Sequence, residues 1–202
     1  MKNKAVIFDL DGTLYDNSSL AFRMVLRDLR HLSLLKAERK SREELSGRYF
    51  GDSGLLYRAL FERMSVMSGF PVERVENWYF TVFMPAMTHI LEKGFQARPW
   101  VLPLLADLRS KGIRTAVFSD YDFAQQKLSA IGISPNCFDF VTDAFSEGGF
   151  KPCRESFESV AGKLNVNPSE VIVVGDRPEK DGAGAMGAGM FFRKVNGNEF
   201  EL

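Results

Sequence analysis

Apolar and polar positions along this chain follow two textures. Val6-Ile7-Phe8 forms the body of an apolar strand, Ala5–Asp9. Strand–helix alternation resumes only near Trp100, where Val101, Leu104, Leu105 and Leu108 recur at helical spacing and predict a helix over Trp100–Lys111. Lys111-Gly112 ends it with a basic last turn and a C-terminal glycine. A short buried strand is expected at Thr115–Ser119, a helix at Asp122–Ile131 stopped by Gly132, and a third strand at Phe138–Thr142. Proline in its first turn opens a helix over Pro152–Leu164. Val171-Ile172-Val173-Val174 is a β-branched run, as a central parallel strand buried on both faces requires. A short helix of small residues, Lys180–Gly187, precedes the last strand, Met190–Val195. Alternation at this spacing implies right-handed crossovers and a parallel sheet.

Between Asp16 and Ala97 the pattern is helical throughout. Ser18–Leu34 carries Phe22, Val25, Leu26 and Leu29 on one face, and Ser41-Arg42-Glu43-Glu44 reads as a capping box that starts a new helix. Ser53–Ser68 shows Leu56, Leu60, Met64 and Met67 in a stripe broken by Gly69, and Pro71–Phe83 and Pro85–Leu91 complete the set. Methionine and aromatic residues at this spacing read as bundle core rather than as a cofactor box. The expected fold class is therefore α/β: a Rossmann-like three-layer parallel-sheet core from residues 1–15 and 98–202, with a helical bundle, residues 16–97, inserted after the first strand. Leu14–Asn17 and Gly94–Pro99, both with turn chemistry, are the expected hinges.

Composition narrows the class. The chain has 202 residues, 45% hydrophobic and 26% charged, and is long enough for one good core and a smaller appendage. Lys+Arg 26 against Asp+Glu 26 cancel, so no global charge argues for nucleic acid or a membrane surface. Cys137 and Cys153 lack metal-type spacing and are expected to be reduced. Met1-Lys2-Asn3-Lys4 leads into strand without a long apolar leader, and no apolar run is long enough to span a bilayer. A cytoplasmic protein, monomeric or weakly dimeric, is expected.

Candidate chemistry sits at four strand ends. Asp9 and Asp11 are two residues apart, so in extended backbone they share a face, and Gly12 allows a sharp turn after them. Phe118-Ser119-Asp120 delivers a hydroxyl and a following backbone N–H, Gly148-Gly149-Phe150-Lys151-Pro152 delivers a lysine, and Val174-Gly175-Asp176 through Asp181 adds further carboxylates. Each piece alone has an ordinary explanation as a turn, a cap or a solvated side chain. In a parallel sheet, however, all four ends meet at the carboxyl edge, where open α/β sheets bind ligands. Carboxylates in that number repel one another unless a hard cation sits among them, and oxygen ligands suit Mg²⁺. The lysine and hydroxyl supply donors for an anionic group. Phosphoryl transfer to an attacking carboxylate suits such a site.

In order and spacing, Asp9-Leu10-Asp11-Gly12-Thr13, Ser119, Lys151 and Gly175-Asp176 with Asp181 resemble the four motifs of the haloacid dehalogenase superfamily. The helical insertion resembles the class I cap of its phosphoglycolate phosphatase-like and β-phosphoglucomutase-like members. The resemblance implies Asp9 as the nucleophile that forms an aspartyl-phosphate, and Asp11 as acid for the leaving alkoxide and then base for water. It implies Ser119, the Asp120 backbone N–H and Lys151 on the phosphate. It also implies Mg²⁺ held by Asp9, the Asp11 carbonyl and Asp176, with Asp181 in support. Two departures stand out: the chain runs only from Asn196 to Leu202 after its last strand, leaving a sheet edge open to a partner, and Asp120 stands where many relatives carry asparagine.

A Mg²⁺-dependent phosphatase acting on a small phosphorylated metabolite is the leading expectation. The alternatives are a sugar-phosphate mutase, which shares all four motifs, and a non-catalytic phosphate-sensing module, whose expected broken motif is absent. A metal-free dehalogenase is disfavoured by Asp11. A phosphonatase would need a Schiff-base lysine, with Lys36 and Lys40 as candidates in a run shared with Arg39, Arg42 and Arg48 that reads as a solvated face or a substrate-reading surface. His31 and His89 are expected to be structural or exposed. Apolar and aromatic residues such as Phe50, Tyr57 and Phe61 in the insertion favour hydrolysis over mutase chemistry.

Overall fold

The computed structural model describes residues 3–198, 200 and 202. Its five strands are β1 (Ala5–Phe8), β2 (Arg114–Ser119), β3 (Phe140–Asp143), β4 (Val171–Gly175) and β5 (Phe191–Lys194). They form one sheet in the order β3-β2-β1-β4-β5, and every pairing is parallel. β1 is central, with Phe8 in register with Val117 on one side and Val174 on the other. All residues of β1 and β4 are buried, which explains their unbroken apolar runs. Helices α6 (Val101–Ser110), α7 (Ala124–Ala130), α8 (Arg154–Lys163) and α9 (Ala183–Gly187) flank the sheet. No helix among the described residues is long and apolar enough to cross a membrane.

Element ends shift where turns replace regular structure. The third strand begins at Phe140 rather than Phe138, because Pro135–Cys137 forms a short 3₁₀ turn before it. The helix expected from Pro152 begins at Arg154: the Lys151–Pro152 bond is cis, and Pro152 belongs to the turn that delivers Lys151. A π-helical turn, Pro178–Gly182, precedes α9.

The stretch between β1 and α6 holds α1 (Leu20–Arg27), a 3₁₀ turn (Leu29–His31), α2 (Leu32–Leu45), α3 (Ser53–Ser68), α4 (Val72–Trp78), a π turn (Tyr79–Phe83) and α5 (Met84–Gly94). Two expectations are corrected here. Ser41 does not cap a new helix: α2 runs through it, because Leu34, Ala37, Glu38, Ser41, Arg42 and Leu45 form one buried face at three- and four-residue spacing. Second, the stripe expected over Ser18–Leu34, namely Phe22, Val25 and Leu26 of α1 and Leu29 of the 3₁₀ turn, is not core but exposed, with Phe22 66% and Leu29 58% accessible. Leu20 and Met24 are the buried residues of α1, which packs against α5. The helix carries two apolar stripes, and only packing decides which is covered.

Several contacts tie this helical stretch to the sheet's carboxyl edge. Phe50 N–H donates to Gly148 O at 2.7 Å, Gly47 N–H donates to Phe150 O at 3.0 Å, and Ser46 Oγ donates to Lys151 O at 2.7 Å. Tyr57 OH donates to the Asp122 carboxylate. On the other junction, the Arg98 guanidinium donates to Thr13 O and Gly12 O, both at 3.1 Å.

Candidate active site

The carboxyl end of β1 delivers Asp9 into the interior. Its Oδ2 accepts from Thr13 Oγ1 at 2.9 Å, and its Oδ1 accepts from Lys151 Nζ at 2.7 Å. Lys151 is 1% exposed and donates also to Asp181 Oδ1 at 2.7 Å. Burial is the main force on Asp9 and raises its pKa; Lys151 opposes it, while Asp181, Asp11 and Asp176 add to it, leaving the group pushed up to about 8. Burial also acts against the charge of Lys151, but Asp181, Asp9 and Asp120 outweigh it and hold the ammonium above its ordinary range.

Asp11, two residues on, meets different surroundings. Tyr15 OH donates to its Oδ1 at 2.6 Å, Ser119 Oγ lies 3.2 Å from its Oδ2, and the Lys127 ammonium donates to the same Oδ2. Lys127 also reaches Ser119 Oγ at 3.0 Å, and its side chain is fully buried. Sequence reading did not single out Lys127. The available signal was its place beside Ala124 and Leu128 on the buried face of α7, where a lysine needs a carboxylate partner.

Asp120 resolves one departure noted in the sequence. Its carboxylate accepts from Lys151 N–H and from Lys180 Nζ, both at 2.9 Å. Burial raises its pKa, but Lys180, Lys151 and Arg42 more than offset this, so the group sits below the ordinary carboxylate range. Arg42 is no solvated surface charge: it is buried, pairs with Glu38 at 2.7 Å, donates to Asp120 O at 2.9 Å and stacks over the Tyr121 ring at 4.2 Å. Lys36 and Lys40, by contrast, are exposed at the rim of a cavity described below. His31 is held to Asp28 at 2.6 Å within the helical stretch, and His89 is exposed.

Asp176 follows β4, and Gly175 lets Asp181 approach it: a Cβ on Gly175 would lie 2.5 Å from Asp181 Oδ2. Gly12, at φ +95°, does the same for Asp176, whose Oδ2 would lie 2.4 Å from an added Cβ. Oxygens of Asp9, Asp176 and Asp181 lie within 4.8 Å of one another. Asp181 has its partners, Lys151 and the Arg177 N–H at 3.2 Å. Asp176 Oδ1 is buried with no hydrogen-bond partner, and burial raises its pKa, with Asp181 adding to the effect. An orphaned buried carboxylate oxygen facing two more carboxylates is the donor set that a hard divalent cation satisfies. The residues fit Mg²⁺.

From Asp11 a cavity of about 520 Å³ runs between the core and helices α1, α2 and α5. Leu20, Met24, Leu35, Phe83 and Met87 form its walls, and Tyr121 borders it on the core side.

Comparison with known proteins decides the family. The model of the haloacid dehalogenase-like hydrolases matches residues 3–189. The chain belongs to this family. Among its relatives are glyceraldehyde 3-phosphate phosphatases from Methanopyrus kandleri, 30% identical over 98% of this chain and 86% of that protein, and from Methanothermobacter thermautotrophicus, 29% identical over 96% and 85%. CbbY of Rhodobacter sphaeroides, solved in complex with phosphate, shares the fold: TM-score 0.67 and 20% identity over 94% of this chain and 84% of that one. As a haloacid dehalogenase-like hydrolase the chain is an enzyme, and its structure brings Asp9, Asp11, Ser119, Asp120, Lys151, Asp176 and Asp181 to one edge of the sheet, with Lys127 added from α7.

Proposed function

We propose that this enzyme is a Mg²⁺-dependent phosphatase that hydrolyses a small phosphomonoester through an aspartyl-phosphate on Asp9. The supporting observation is the division of surroundings between two carboxylates only two residues apart. Asp9 faces Lys151 and the acidic cluster, whereas Asp11 faces Tyr15, Ser119, Lys127 and the cavity. Two carboxylates held in unlike environments are suited to unlike roles.

In this reading an Asp9 oxygen attacks phosphorus, the ester P–O bond breaks, and the leaving alkoxide takes a proton from Asp11. Water then attacks the phosphorus of the aspartyl-phosphate and gives its proton to Asp11, which releases inorganic phosphate and restores Asp9. Lys151, Ser119 and the Asp120 backbone N–H hold phosphate oxygens, while Asp181 keeps Lys151 in place. Mg²⁺, held by Asp9, Asp176 and the Asp11 carbonyl, would neutralise charge on the phosphoryl group. The phosphatase relatives support the same reaction class.

Phosphate release from p-nitrophenyl phosphate and a metabolite panel including glyceraldehyde 3-phosphate tests the proposal. Turnover is expected with Mg²⁺, not in excess chelator and not with Asp9→Asn. Isotope-labelled water should enter the released phosphate at every turnover. Full activity in chelator, or isomerised sugar phosphate formed faster than free phosphate, would refute it.

A further inference from the structure

Asp11 forms part of the lining of the cavity. If Asp11 gives its proton to the leaving oxygen, the leaving group must occupy the space that Asp11 borders. That space is the cavity of about 520 Å³, a size that accommodates a drug-sized ligand and is far larger than a three-carbon polyol requires. Leu20, Met24, Leu35, Phe83 and Met87 give it apolar walls. A sugar or polyol hydroxyl buried against these five would lose water and gain no partner from them. The Glu38 carboxylate, which also borders the cavity, is already paired with Arg42 at 2.7 Å. Arg39 and Glu43 are exposed and paired with each other at 3.2 Å. Lys36 and Lys40, also in the lining, are exposed and attract a dianion toward the cavity mouth. Of the polar lining this leaves Asn17 and Tyr121 beside Asp11. Val25 and Leu32, exposed members of the lining, continue the apolar surface outward toward Phe22 and Leu29.

We infer that the physiological substrate is a phosphomonoester of an alcohol with an extended apolar body, alkyl or aryl, rather than a short polyol phosphate. The inference rests on the phosphatase reading and adds the substrate class to it. It separates this chain from its relatives named for glyceraldehyde 3-phosphate.

The test is a series of n-alkyl phosphates, ethyl through octyl, in which the intrinsic reactivity of the ester bond changes little while apolar surface grows. Glyceraldehyde 3-phosphate and p-nitrophenyl phosphate are assayed beside it, with the intact chain and Mg²⁺. Full burial of each methylene corresponds to about a fourfold gain in kcat/KM. The expected result is a rise of roughly two- to fourfold per methylene up to hexyl, with hexyl phosphate well above glyceraldehyde 3-phosphate. In Leu35→Asn and Met87→Gln the ratio of hexyl to ethyl should fall severalfold. If phosphate is released from the series with no dependence on chain length, or with a fall, the substrate class is wrong and the phosphatase reading stands. If no ester in the set is hydrolysed, p-nitrophenyl phosphate included, the phosphatase reading fails and takes this inference with it.

Discussion

Replacing Asp9 by asparagine should remove the loss of stability with rising pH that this buried carboxylate imposes. In the native site burial and neighbouring carboxylates push Asp9 up to about 8 from an ordinary value of 3.8. Between these values the folded chain keeps a proton that the unfolded chain has lost. Stability from this group is therefore fully present below pH 4 and is lost progressively as pH rises through 8. Each pH unit corresponds to about 1.4 kcal/mol, so the loss from pH 5 to pH 8 is roughly 3–4 kcal/mol. Asp9→Asn keeps the shape and stays neutral. Asp143, pushed up to about 6 mainly by burial, tilts both proteins alike and cancels in the difference. For a chain of this size about 2–4 °C of Tm accompanies each kcal/mol. In chelator the two proteins should melt within a few degrees of each other at pH 5. By pH 8 the variant should melt roughly 6–16 °C higher. Adding Mg²⁺ should raise the wild type more than the variant at pH 8 and narrow the gap, because a cation bound to the native state stabilises it by mass action. Scanning calorimetry at pH 5, 6, 7 and 8 measures this directly. Parallel Tm curves for the two proteins across that range would refute the electrostatic account of the site.

Three further outcomes follow from the same geometry. Lys127→Met removes the buried ammonium that holds Asp11, so kcat should fall about 10²-fold with KM little changed, read from steady-state kinetics. Gly12→Ala forces a Cβ to 2.4 Å from Asp176 Oδ2 at a strained φ of +95°, so the Mg²⁺-dependent rise in Tm should shrink or vanish. Lys151→Met leaves Asp9 and Asp181 without their shared cation, and chemical denaturation at pH 8 in chelator should show a loss of about 3–5 kcal/mol, smaller at pH 5 where Asp9 carries a proton.

Local pattern was enough to read the sheet and its four polar strand ends. A strand's period of two and a β-branched run such as Val171–Val174 depend on neighbouring residues alone, and parallel topology then sends every carboxyl end to one edge. That Asp9, Asp11, Ser119, Lys151, Asp176 and Asp181 would meet at that edge was legible for that reason. Tertiary packing decided what has no local signature. It buried Ser41 mid-helix in α2 against its capping pattern, because a continuous buried face, with Leu34, Ala37 and Leu45 packed and Glu38 paired to Arg42, outweighs a cap worth about 1 kcal/mol. It covered Leu20 and Met24 while leaving Phe22 and Leu29 in solvent, since periodicity cannot tell which of two stripes meets a partner. It also brought Lys127 to Asp11 across 116 positions of sequence. Charge pairing at that separation is set by where α7 docks on the sheet, and docking is a property of the whole core.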